Sequence, residues 1–234
     1  MKTLVTALSV SFLLSGCIIH VGGGGGQPLQ HIEKTLALEA NQLDSLVADT
    51  GAGSLLIQAE AGRTAVEVIA QIYYHDAVTP VLTLQQSGRK ALLEAEFDGS
   101  NFSQGQGPYI DLVIKVPPHF GLQLDDGSGD INIQGLAGAL VVHDGSGELR
   151  IDGGASLMLE DGSGDLHITN IHSTVNINDG SGDLSVENVA GVVTIDDGSG
   201  DILVRKTGGL TITDAGSGDL TVDAINGPVS LSND

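Results

Sequence analysis

Eleven carboxylates in this chain of 234 residues stand at a fixed interval, and they are the side chains whose type and spacing could do chemistry. Five open a recurring turn, Asp-Gly-Ser-Gly-Asp, at Asp126, Asp144, Asp161, Asp179 and Asp197. Six close it, at Asp130, Glu148, Asp165, Asp183, Asp201 and Asp219. If successive copies stack at a strand spacing of about 4.8 Å, the two sets form two ladders. Neighbouring charges in each then repel by roughly 0.9 kcal/mol per pair even at the dielectric of water. Clustered carboxylate oxygens suit a hard cation, so all eleven are candidate Ca²⁺ ligands. The same residues also build a turn without an ion, because Gly adopts positive φ while Asp and Ser side chains bond nearby amides. An EF-hand loop is excluded: Ile177 stands where its first ligand is needed and Asn188 where its closing Glu belongs. The nonapeptide calcium roll is excluded by the period.

Catalysis is the weaker expectation. Glycoside hydrolysis needs two carboxylates in distinct environments, whereas repetition makes these nearly equivalent. Ser128, Ser146, Ser163, Ser181, Ser199 and Ser217 also share one environment, with no His placed by sequence as their base. His143 and His167 are expected to face solvent. A polysaccharide-active β-helix enzyme is therefore the least favoured reading; no catalytic residue and no organic cofactor are assigned.

The elements that hold these turns repeat about every 18 residues, with one step of 17. Counting from Asp183, apolar residues fall at offsets 1, 3, 6, 10 and 12: Leu184, Val186, Val189, Val193 and Ile195. The copy at Asp165 gives Leu166, Ile168, Ile171, Val175 and Ile177. Each copy is thus two alternating strands with a corner between them, and offset 8 is glycine at Gly138, Gly191, Gly209 and Gly227. Near-identity at the full period favours a parallel β-solenoid, one coil per repeat, over an antiparallel meander, since coil-on-coil stacking sets like residue on like. Two places break register: near Gly153-Gly154 a residue is missing, and at Leu210 and Ile212 the apolar residues come one place early. A bulge at such points restores parity.

Residues 31–118 are expected to be a β-rich N-terminal part. Asp49 to Ser54 is a degenerate first copy of the turn, and alternating runs at 66–74, 81–84, 91–97 and 109–116 suggest hairpins that cap one end of the stack. The solenoid proper occupies 119–234. Aromatic content of 3% without Trp leaves Val, Ile and Leu to fill a narrow core.

Residues 1–16 have the form of a lipoprotein signal peptide: Lys2, an apolar run from Leu4 to Leu14 too short to span a bilayer, and Leu14-Ser15-Gly16-Cys17. Cys17 is the single cysteine, so it has no disulfide partner and is assigned as the lipidation site. Residues 17–30, with glycine from Gly22 to Gly26, form a flexible tether. The net charge of −21 excludes nucleic acid as a natural partner.

The run Ile110-Asp111-Leu112-Val113-Ile114-Lys115-Val116-Pro117-Pro118, followed by repeated Gly-Ser-Gly-Asp units, resembles the exported bacterial β-strand-repeat family catalogued under the name "putative adhesin". The resemblance implies an all-β, right-handed parallel β-helix and supplies no catalytic residues. The expected protein is a lipid-anchored envelope module of a Gram-negative bacterium, in the outer membrane, binding a protein or glycan through the outward positions Asn132, His167, Thr169, Ser185, Glu187, Thr194, Arg205, Thr221 and Asp223. A periplasm-facing accessory of an envelope-stress or membrane-maintenance system is the alternative.

Overall fold

The computed structural model describes residues 29–99 and 107–232, and every regular element in it is a β-strand. The signal-like run, Cys17 and the glycine-rich tether lie outside the described residues.

The chain enters on β1 (Gln30–Glu39) and makes one coil from β2 (Ser45–Ala52) and β3 (Leu55–Ala59). It leaves the stack for β4 (Ala65–Tyr74), β5 (Thr79–Ser87), β6 (Lys90–Asp98) and β7 (Tyr109–Val116). It returns on β8 (Gly121–Ser128) and β9 (Ile131–Gln134), then climbs through β10 (Ala139–Asp144), β11 (Leu149–Gly154), β12 (Ser156–Asp161), β13 (Leu166–Ile171) and β14 (Val175–Asp179). The strands β15 (Leu184–Asp197) and β16 (Ile202–Asp214) each run through the mid-coil corner, and β17 (Leu220–Asp223) and β18 (Val229–Leu231) end the climb.

The result is the expected solenoid. One face stacks β2, β8, β10, β12, β14 and the later halves of β15 and β16, all parallel; the other stacks β3, β9, β11, β13, the earlier halves of β15 and β16, and β17. Like sits on like: Leu122, Leu140 and Leu157 form one rung-to-rung column, and Ile133, Ile151, Ile168 and Val186 another. Period-two alternation turns these side chains inward from both faces, so the inner space is a single aliphatic core. Apolar columns of this kind make the register unambiguous, since a slip of one residue would turn each column out to solvent.

The N-terminal part does cap one end, but not in chain order. β6 and β7 form a coil of their own that stacks in parallel beneath β2 and β3, while β8 and β9 stack above them. The first coil in sequence is therefore the second in space. Beneath it the direction reverses: β5 pairs antiparallel with β6, and β4 pairs antiparallel with β7 and β1. Reversal stops the parallel series and closes that end of the rod.

Both irregular repeats are absorbed locally. The missing residue falls just after Gly154, where the pairing offset changes from 18 to 17. Gly154 is buried at a site held by Leu136 or Ile171 in adjacent coils, and a Cβ there would lie 2.9 Å from Leu140 Cδ1. The early Leu210 and Ile212 are brought back into line by a bulge at Thr213, after which Asp214 again pairs with Asp196. Thr213 fixes this bulge by donating its hydroxyl to the Ile195 carbonyl at 2.9 Å.

Candidate functional site

The recurrent turn forms one long edge of the rod, and its two acids and two glycines have different tasks. On the incoming strand Leu122, Leu124 and Asp126 all point inward, so parity places the first Asp of each copy inside the coil. At Asp144 the carboxylate turns back on its own corner, Oδ1 accepting the Ser146 amide at 3.1 Å. The first glycine of each copy lies against the carbonyl of its counterpart one coil below; a Cβ on Gly180 would strike the Gly162 oxygen. The second glycine has φ of +142° at Gly182, and a Cβ there would meet the Gly164 carbonyl as well. Only glycine fits either place.

The closing acid points outward and holds the coils together. Asp165 Oδ1 accepts the Asp183 amide at 3.1 Å, Asp183 that of Asp201 at 3.0 Å, and Asp201 that of Asp219 at 2.9 Å. Asp130 likewise accepts the Glu148 amide at 3.2 Å. Charge-assisted bonds of this kind offset the mutual repulsion of exposed carboxylates.

The inner column is a different environment. Asp126, Asp144, Asp161, Asp179 and Asp197 stack directly, one per coil, and none is more than 7% exposed. Both carboxyl oxygens of Asp161, Asp179 and Asp197, and one each of Asp126 and Asp144, are buried without a partner. Thr50 ends the column on the cap side and donates its hydroxyl to Asp126 Oδ1. Burial raises all five carboxyls. It pushes Asp126 up to about 7 despite the Thr50 bond, Asp161 up to about 8 with Asp144 and Asp179 adding to the effect, and Asp197 up to about 6. Full ionisation would set like charges one strand spacing apart over four steps. At an effective dielectric of 20 that costs roughly 3.5 kcal/mol a step, about 14 kcal/mol in all, as much as a whole domain's stability.

The eleven candidate ligands are therefore not one site. The two ladders share a corner but face opposite sides of the backbone, one buried and one engaged by amides. Among the described residues, no group of three or more His, Cys, Asp or Glu is arranged to hold a metal ion. A third row, absent from the sequence-based set, runs beside them: Glu94, Asp49, Asp125, His143, Glu160, Asn178, Asp196 and Asp214 pair in turn on the outer face. A shallow groove of about 500 Å³ lies between this row and the inner column over Gly145 and Gly162. Parity carried the signal for that split, because odd and even positions of one strand cannot face the same way.

The outward positions named from sequence lie on both faces. Asn132, Arg150, His167, Ser185, Leu203 and Thr221 form one row, and Gln134, Asp152, Thr169, Glu187, Arg205 and Asp223 the next. Thr194 stands on the opposite face between Asn176 and Thr211. His167 Nε2 lies 3.4 Å from Glu148 Oε1, and Lys206 Nζ 2.6 Å from Glu187 Oε1. The mid-coil corner lies between the two strands of each copy, as expected. Its left-handed residue is at offset 5, at Gly135, Gly153, Asn170, Asn188, Lys206 and Ala224. The offset-8 glycine serves close approach instead, since a Cβ on Gly138 would meet the Phe120 carbonyl.

Residues 119–229 match the model of the family described as Toastrack DUF4097. Among solved structures, the chain is similar to a "putative cell adhesion protein" of Clostridium sporogenes at 15% identity and a TM-score of 0.42, covering 82% of this chain and 99% of that one. It is also similar to a "putative adhesin" of Bacteroides fragilis at 15% identity and a TM-score of 0.44, covering 86% and 97%. A "putative adhesin" of Parabacteroides distasonis gives 11% identity and a TM-score of 0.38 over 86% and 97%. No curated protein matches the sequence.

Proposed function

We propose that this chain is a non-enzymatic, lipid-anchored interaction module of the cell envelope, adhesin-like or a scaffold. The observation that carries the reading is the division of labour in the coil. The repeated corner is taken up by structural tasks, and the two flat faces carry outward rows of mixed polar side chains along the stack. A protein or glycan partner then meets the rod side-on, across several coils at once, with Asn132, His167, Thr169, Ser185, Glu187 and Arg205 among the contacts. A repeating surface gains affinity by many weak contacts in register rather than by one deep pocket.

Leu14-Ser15-Gly16-Cys17 supports attachment through a lipidated Cys17, and the tether through Gly26 supports a rod held off the membrane. Replacing Cys17 with Ser moves the protein from the membrane fraction to the soluble fraction if this is right, and leaves its distribution unchanged if it is wrong.

Access on intact cells tests the role. Digestion or antibody labelling of the folded domain before the envelope is breached is expected for an adhesin. Protection until permeabilisation overturns it in favour of a periplasm-facing accessory, to be sought among envelope-stress and membrane-maintenance partners.

A further inference from the structure

We infer that the inner column binds protons: Asp126, Asp144, Asp161, Asp179 and Asp197 form a ladder of carboxyl groups joined by O–H···O bonds along the rod axis at neutral pH. This goes beyond the interaction role and does not depend on it. Three observations on the geometry carry it. The carboxyls stack one strand spacing apart in unbroken register. Their unpartnered oxygens are buried, both of them on Asp161, Asp179 and Asp197. Among the described residues no buried Lys or Arg faces them: across the coil the inward positions are aliphatic, among them Ile133, Ile151, Ile168, Val186 and Val204. The charged groups that do bear on the column are acidic, Asp125 beside Asp126 and Asp214 beside Asp197, with His143 and Glu160 on the groove outside.

A buried acceptor pair without a donor is costly, and one hydrogen placed between two carboxyls turns two acceptors into a donor and an acceptor. Each step of the ladder takes one proton from solvent, which adds a single O–H bond to one Oδ and points it at the next. The side chains of Asp144, Asp161, Asp179 and Asp197 already adjoin one another for this. Asp126 needs less, because the Thr50 hydroxyl donates to it. At the far end Ala215 occupies the ladder position one turn after Asp197, so the series stops there. The ladder does with acids what stacked Asn side chains do with amides, and it can be switched by pH where an amide ladder cannot.

The direction follows from linkage. These carboxyls are raised in the folded chain, so their contribution is fully present below the ordinary Asp value near 4 and is lost as pH rises through about 6 to 8. The rod is firmest in acid and loosens toward alkaline pH, the reverse of a protein stabilised by ion-paired carboxylates.

The full chain in detergent at pH 7, with EDTA present, is examined by infrared difference spectroscopy for the C=O stretch of protonated carboxylic acid. The wild type is expected to show the band and to lose it between pH 6 and 9. The variant carrying Asp→Asn at all five positions is expected to lack it and to melt without pH dependence over that range. Absence of the band from the wild type at pH 7 overturns the proposal, as does its persistence in the variant. Should the five-site variant fail to fold, the wild-type titration stands alone, and D179N serves as the single replacement, expected to weaken the band without removing it.

Discussion

Glycine and aspartate in the recurrent turn are exacting for different reasons. Gly182 combines a φ of +142° with a Cβ position inside the Gly164 carbonyl, so Gly182→Ala is expected to lower the melting temperature by roughly 5–10 °C. Ser181→Ala at the neighbouring, half-buried position is expected to stay within about 2 °C. Equal effects in a thermal melt would show that the corner is not closed by backbone contact. Asp183 needs only an acceptor for the Asp201 amide, so D183N is expected to change stability by less than about 1 kcal/mol in chemical denaturation. The repeated Asp and Gly were plain in the sequence, and so was the turn they make. That Asp126 faces inward follows from alternation with Leu122 and Leu124, and that Asp130 faces outward from alternation with Ile131 and Ile133 beyond the corner, but burial cannot be read from a motif that looks symmetric about Ser128.

At the level of strands, register is held by a few local devices. Thr213 is the one extra residue between Ile212, paired with Ile195, and Asp214, paired with Asp196, so deleting it straightens the strand and leaves every later pair in register. Hydrogen exchange of the deletion variant is expected to show protection kept over residues 214–231 as well as through β12 and β13; protection lost beyond Ile212 would contradict a bulge that only absorbs one residue. The paired strands of each repeat were legible because apolar residues keep their offsets. The left-handed residue of the mid-coil corner was not legible, because positive φ is met by Asn170, Asn188, Lys206 and Ala224 as well as by glycine. Asn170 is tied in by its neighbours, donating to Asp152 Oδ1 at 2.6 Å and accepting from Asn188. Side-chain ladders of this sort carry no glycine signal.

The whole rod is a stack in which each coil touches only its neighbours, so stability is local and the ends differ. The capped end is sealed by antiparallel strands. At the other, Val222, Val229 and Leu231 are 37%, 49% and 48% exposed, and β17 and β18 should exchange fastest. The order of coils at the capped end was not legible in the sequence. Ala48 meets Leu124 and Leu93 across separations that follow no period, and only the tertiary stack decides that the β6–β7 coil lies below β2 and β3. The residues that face outward were legible, since alternation fixes them. What binds there is a matter for the cell-surface experiment. The corner that defines the rod can be tested on the purified molecule by one measurement: melting of the full chain in EDTA and in millimolar Ca²⁺ at matched ionic strength, from pH 5 to 8.5. Carboxyls satisfied by protons inside and by amides outside give the same melting temperature with and without calcium, falling as pH rises through about 6 to 8. A higher melting temperature in calcium, or one that climbs with pH, would contradict that assignment.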